Sequence, residues 1–337
     1  MRAILLSLLV ALLLPTAAGA TMVFESGNLK RAVWVAEDDG ANPHKLVKGN
    51  APHIAPDGTA VVYIADIAEN DTKLNEIPID GGTPETLLHR WQYGTFDWSD
   101  DGRYIVATAG RFNRPSKLVL IDRQTGTNRT IARGFFDGAS FAPDSTALVY
   151  ARRASDIKLF PEINLFTVPV AGGEPTQITT DGKSQYPLWG PQRIAYSRYH
   201  KPKGKHANDD GPKANLFLVN PDGSGRTQLT HDKVGFLLYG LSATAWSQDG
   251  TKLLAQFGGQ DTSYAVTVDP QTGEERLPAR RRRGFVGTAL SKDGSTILGY
   301  TGGFDPVPQL TQIATTPYDG GPLSVLIAKS AFPEWTR

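Results

Sequence analysis

Cysteine is absent from the 337 residues. That excludes disulfides, thiolate metal ligands, a thiol nucleophile and a cysteine-borne lipid anchor. An excess of charge is missing too. The 35 Lys and Arg nearly match the 34 Asp and Glu, leaving a formal +1. This balance gives no bulk attraction to nucleic acid or to an acidic membrane surface. The apolar run from Ile4 to Leu14 is shorter than the roughly 20 residues that cross a bilayer. It follows Arg2 and precedes Pro15 and Ala18-Gly19-Ala20, the layout of a secretory signal peptide. Residues 1–20 are therefore expected to be cleaved. The mature chain, beginning near Thr21, is expected to be periplasmic or secreted, without stable membrane insertion.

Catalytic signatures are also scarce. The chain holds no Gly-x-Ser-x-Gly elbow, no His-Glu-x-x-His and no Gly-x-x-x-x-Gly-Lys loop, so the hydrolase, metalloprotease and nucleotide-binding motifs are missing.

What is present is a repeat. Phe96-Asp97-Trp98-Ser99-Asp100-Asp101-Gly102 leads into Tyr104-Ile105-Val106-Ala107: a strand ending in an aromatic, a tight Asp-Gly turn and an apolar strand. Related copies end in Ile54, Phe141, Trp189, Trp246 and Leu290, so the steps from Ile54 onward are 44, 43, 48, 57 and 44 residues. One more step of 45 reaches Trp335, and four of the six Trp occupy this slot. Each copy continues into a second hairpin, as in Leu74 to Ile79, Asp80-Gly81-Gly82 and Glu85 to Leu88. Two hairpins per unit make a four-stranded antiparallel sheet, and a period of about 40 to 50 residues is that of a propeller blade.

Before the first full unit, Val23-Phe24, Ala32 to Val35 and Lys45 to Val47 read as the last three strands of a blade whose first strand is missing. Phe332 to Thr336 reads as that strand. The expected fold is all-β: a seven-bladed propeller over 21–337 as a single domain, closed by pairing of the N- and C-terminal strands. Six blades, with Thr21 to Asn50 as an extra arm, is the alternative.

The unit Pro-x-Trp-Ser-x-Asp-Gly … Ile-x-Tyr … Asp-Gly-Gly-x-Pro-x-x-Leu-Thr resembles the TolB-like, or WD-like, propeller repeat over nearly all of Val23 to Trp335. That repeat occurs in TolB of the bacterial Tol–Pal system, ahead of prolyl-oligopeptidase catalytic domains, and in some polysaccharide lyases. The resemblance implies the fold and leaves function open. The chain lacks both the N-terminal α/β domain of TolB and the hydrolase domain of the peptidases.

The Gly-Gly pairs and the Asp residues before Gly read as turn formers, since no acidic residues alternate as a Ca²⁺ loop requires. His44, His53, His89, His200, His206 and His231 show no metal-ligand spacing; no metal and no cofactor are expected. His53, in an inner strand, reads as a hydrogen-bonded core residue.

Charge is distributed by face. Propeller topology puts the turns after first and third strands on one side, and these carry Asp57, Asp80, Asp100, Asp101, Asp144, Asp222, Asp249, Asp269, Asp293 and Asp319. Loops after second and fourth strands emerge opposite. The candidate ligand-binding residues there are Arg90, Trp91, Arg111, Arg114, Arg152, Arg153, Arg198, His200, His206 and Arg281 of the run 280–283. Arginine beside aromatic rings suits carboxylates, phosphates and stacked sugars or peptides. The expectation is a monomeric, non-catalytic interaction module whose basic face, at one channel mouth, takes an anionic protein, peptide or glycan. The alternative is a lyase or hydrolase acting on acidic polysaccharide with a metal-assisted site at that mouth.

Overall fold

In the computed structural model the described residues are 21–26, 31–68, 71–89, 91–110, 114–154, 161–202, 211–279, 284–302 and 311–336. The expected leader at 1–20 and the candidates Arg90, Arg111, His206 and Arg281 lie outside them. All regular elements described are β-strands, joined largely as antiparallel meanders of four.

The expected head-to-tail sheet is present. Its strand order is Ser330–Trp335, Thr21–Ser26, Ala32–Glu37 and His44–Lys48. The two ends run antiparallel with Met22 opposite Trp335 and Glu25 opposite Ala331. This sheet buries Val23, Val33 and Val35 against Ile54, Val61 and Tyr63. Its Met22, Phe24 and Ala36 pack with Leu298 and Ile313.

The next meander is Asn50–Ile54, Ala60–Ala68, Asp71–Pro78 and Glu85–His89. Trp91–Trp98, Tyr104–Ala109 and Ser116–Asp122 then pair in order, followed by the 15-residue strand Thr127–Phe141. That strand serves two meanders. Residues 127–134 pair back to Ser116–Asp122, while 135–141 pair forward to Ala147–Arg153. Two separate strands were expected, but no loop intervenes. Gly134 and Gly138, both at positive φ, bend a continuous strand between its two partners.

Ile163–Pro169 and Thr176–Gln177 complete that group. Ser184–Trp189, Ile194–His200, Lys213–Val219 and Thr227–Gln228 follow. Then come Leu238–Trp246, Leu253–Gly259, Ser263–Val268 and Glu275–Arg276, and finally Val286–Leu290, Thr296–Tyr300, Gln312–Pro317 and Ser324–Ala328.

Burial explains the sequence pattern. Second and third strands are near-continuously apolar because both faces pack on neighbouring sheets: Ser263–Val268 is buried at every residue. Fourth strands are largely exposed, as in Glu85–His89 and Ser324–Ala328, or shrink to two residues, as in Thr176–Gln177. Short outer edges limit strand-to-strand aggregation. Residues of several first strands, among them His53, Asp97, Ser140 and Trp189, face a common hollow.

Candidate functional site

The hollow is a cavity of about 870 Å³, within the range of preformed ligand pockets. The bulky slot of the repeat builds its wall: Trp98, Phe141, Trp189, Trp246, Leu290 and Trp335 all line it. Ile54 holds the same slot but is buried beside Val61 and Tyr63. Trp246 is fixed by a missing side chain. A Cβ at Gly190 would stand 2.6 Å from its indole, so only glycine lets the ring lie there, and its Nε1 donates to Leu188 O at 3.3 Å. This accounts for glycine at 190, where other copies carry Ser99 or Ser247.

The residue before the slot carries the polar chemistry. His53, Asp97, Ser140 and Glu334 all line the cavity. Asp97 Oδ2 accepts the Phe141 amide at 2.8 Å, and Ser140 Oγ accepts the Trp189 amide at 3.1 Å. Each side chain thus ties its own inner strand to the next. His53 Nδ1 lies 3.0 Å from Glu334 Oε2, and its ring stacks on Phe96 with centroids 4.3 Å apart. His53 is hydrogen-bonded as expected, yet its side chain is 37 % exposed: it faces the cavity and is not a core residue. Glu25 accepts the Ala51 amide at 2.5 Å and sits 3.6 Å from the exposed Arg31.

Asp57, Asp100 and Asp101 line the same cavity. Most turn aspartates act as turn formers. Asp57 accepts the Thr59 amide at 2.9 Å, and Asp101 accepts Ser99 Oγ at 2.6 Å and the Arg103 amide at 3.0 Å. Asp249 is held down at about 2 by the Ser247 hydroxyl and the Thr251 amide and hydroxyl.

Of the candidates named for the basic face, the described Arg114, Arg152, Arg153, Arg198 and His200 are not among the described residues lining the cavity, whose Arg and Lys are Arg31 and Lys292. Arg153 makes a two-pronged pair with buried Asp137. Arg198 donates to Asp181 at 2.6 Å beside Arg226, with Phe217 beneath it. Both guanidinium groups therefore brace the fold. His200 ends its strand in an exposed position opposite Lys213. Trp91 opens its strand opposite Ala109.

Arg114 and Arg152 are exposed, as are two further cations. Lys117 and Arg133 stand directly opposite each other on neighbouring strands, both exposed. Arg152 Nε comes within 3.1 Å of where a Gly134 Cβ would be. Among the described residues these four cations have no ion pair, and no group of three His, Asp or Glu is arranged to hold a metal.

Structural comparison identifies the architecture as a TolB-like β-propeller. TolB from Acinetobacter baumannii aligns with a TM-score of 0.54 at 14 % identity, over 93 % of this chain and 81 % of that one. The propeller domain of the Trilobed protease from Pyrococcus furiosus, described as having an open velcro topology, aligns at 0.66 and 13 % identity over 92 % and 94 %. An oligogalacturonate lyase in complex with manganese aligns at 0.59 and 17 % identity over 93 % and 86 %. At such identities the likeness establishes the fold. No protein-family model and no curated protein matches the sequence.

Proposed function

We propose that the chain is an exported, non-catalytic binding module: a closed ring of seven four-stranded blades whose ligand occupies the central channel. The blade count follows from assigning residues 127–134 and 135–141 to different sheets, and from giving Leu238–Trp246 and its partners a blade of their own. Among the described residues the strand pairing between that group and the preceding one is the single bridge Ala214↔Gly240. Closure is supported by the pairing of Ser330–Trp335 with Thr21–Ser26.

The observation that carries the binding role is the cavity of about 870 Å³. It combines half-buried aromatic walls with a few held polar groups, the composition of a ligand pocket. Ala289, in the wall, offers a direct test. Ala289→Trp should obstruct the channel and diminish the tryptophan-fluorescence and NMR responses of the wild type to a small-molecule fragment library. Hits that bind both proteins equally would remove the reading. Turnover of an acidic oligosaccharide by the purified chain would replace it with the lyase or hydrolase alternative.

One observation favours a second surface. Like charges directly opposite on paired strands are unfavourable, yet Lys117 faces Arg133, with Arg114 and Arg152 exposed as well and no described acid paired to them. This sector suits an anionic protein, peptide or glycan. Lys117→Ser with Arg133→Ser should weaken heparin or polyglutamate retention and its salt dependence; unchanged retention would discard this surface.

A further inference from the structure

We propose that the channel selects a cationic organic ligand, an alkylammonium or guanidinium group on a short aliphatic stem. This rests on the reading of the channel as the binding site and adds the charge of what enters it. The reasoning starts from the lining. Glu25, Asp97 and Glu334 stand in the wall, and Asp57, Asp100 and Asp101 line it too. Against these six carboxylates stand Arg31 and Lys292, with His53 hydrogen-bonded to Glu334. The lining is therefore strongly negative in a chain whose formal charge is +1, so the negative charge is concentrated locally and is not a property of the whole molecule.

Two further features turn negative potential into recognition. Phe96, Trp189, Trp246 and Trp335 are partly accessible in the same wall. Aromatic faces attract cations and cover the alkyl stems that carry them. The Trp246 indole is also locked in place over Gly190, so this platform needs no ordering when a ligand arrives. Low-dielectric walls strengthen each carboxylate's attraction for an ammonium or guanidinium group. The same field opposes carboxylates and phosphates, which would enter against four surplus negative charges when His53 is neutral. An uncharged apolar ligand would gain the walls but would desolvate these carboxylates without bringing a compensating charge.

The test uses the full-length mature protein and three probes of similar size: agmatine, neutral butylurea and anionic glutarate, followed by calorimetry and channel-tryptophan fluorescence. Agmatine should bind, and more weakly as salt rises. Glu334→Gln and Asp97→Asn, which keep hydrogen-bonding shape, should each weaken it by about tenfold, while Lys45→Ser, on the exposed strand His44–Lys48, leaves it unchanged. Trp246→Leu should weaken it as well. Glutarate or butylurea binding as tightly as agmatine would overturn the inference, as would agmatine binding indifferent to Glu334→Gln and Asp97→Asn. If butylurea alone binds and Ala289→Trp expels it, the channel remains the site and the cation inference fails. If none of the three probes binds, the inference fails as well, and the binding role of the channel then stands or falls on the fragment library.

Discussion

His53 Nδ1 lies 3.0 Å from Glu334 Oε2 across 281 residues of sequence. The contact joins the sheet that contains both chain ends to its neighbour, and it does so on the cavity wall. One hydrogen bond is thus both a seam of the fold and part of the candidate site.

Because both groups are partly exposed, at 37 % and 19 % of their side chains, the bond contributes modestly. Glu334→Ala should lower stability by about 1 kcal/mol, and Glu334→Gln by less. Urea midpoints for the two variants would check this ordering, and equal midpoints would contradict it.

Asp97 has a larger structural role. Its Oδ2 accepts the Phe141 amide of the next sheet, and truncation leaves that donor without a partner. Asp97→Ala should cost about 1–3 kcal/mol, and Asp97→Asn, which retains an acceptor, clearly less. Ser140→Ala should behave as a milder version, since Ser140 Oγ accepts the Trp189 amide.

Stability should vary with pH in two windows of opposite slope. Asp249 and Asp293 are held at about 2 by neighbouring Ser and Thr hydroxyls and amides, and Asp122 at about 2 chiefly by Arg103. Unfolded, each titrates near 3.9, so their contribution is complete above pH ~4 and is lost as pH falls toward 2. Glu275 is pushed up to about 7, first by burial and then by Asp232. The native state keeps a proton that the unfolded chain releases from about 4.3 upward, so stability declines between pH ~4.3 and 7. Denaturant midpoints against pH should lose the upper slope in Glu275→Gln and part of the lower one in the Asp249→Asn, Asp293→Asn double variant.

Two equivalent turn glycines should respond differently. Gly126 and Gly273 both hold positive φ, but a Cβ at Gly126 meets nothing within 4 Å, whereas at Gly273 it would stand 2.0 Å from Leu229 O. Gly126→Ala should cost about 1–2 kcal/mol of backbone strain, and Gly273→Ala distinctly more. Thermal denaturation of the pair reads the difference.

The fold was legible because a propeller repeats its physics. Trp98 and its equivalents recur at one slot, Asp-Gly turns follow them, and the fragmentary first and last units complement each other at Met22 and Trp335. The merged strand Thr127–Phe141 was not legible, since a bent continuous strand and two strands joined by a short loop have the same apolar pattern. The candidate site was harder to see. Sequence gives the charge of each loop but not its ion pairs, so Arg153 and Arg198 looked available although Asp137 and Asp181 hold them. The polar positions before the slot, His53, Asp97 and Glu334, did carry a signal: each interrupts an inner strand whose bulky residues had already aligned.

The returning tail forms part of the cavity wall: Phe332, Pro333, Glu334, Trp335 and Thr336 all line it. A chain without cysteine permits a clean test of that return, because Ser26 and Ser330 are register partners. Ser26→Cys with Ser330→Cys should form one intramolecular disulfide on mild oxidation, seen by mass spectrometry. It should also raise unfolding stability by up to about 5 kcal/mol, as expected for so long a loop. Thiols that stay reduced, or pair only between molecules, would contradict the closed ring and the channel built on it.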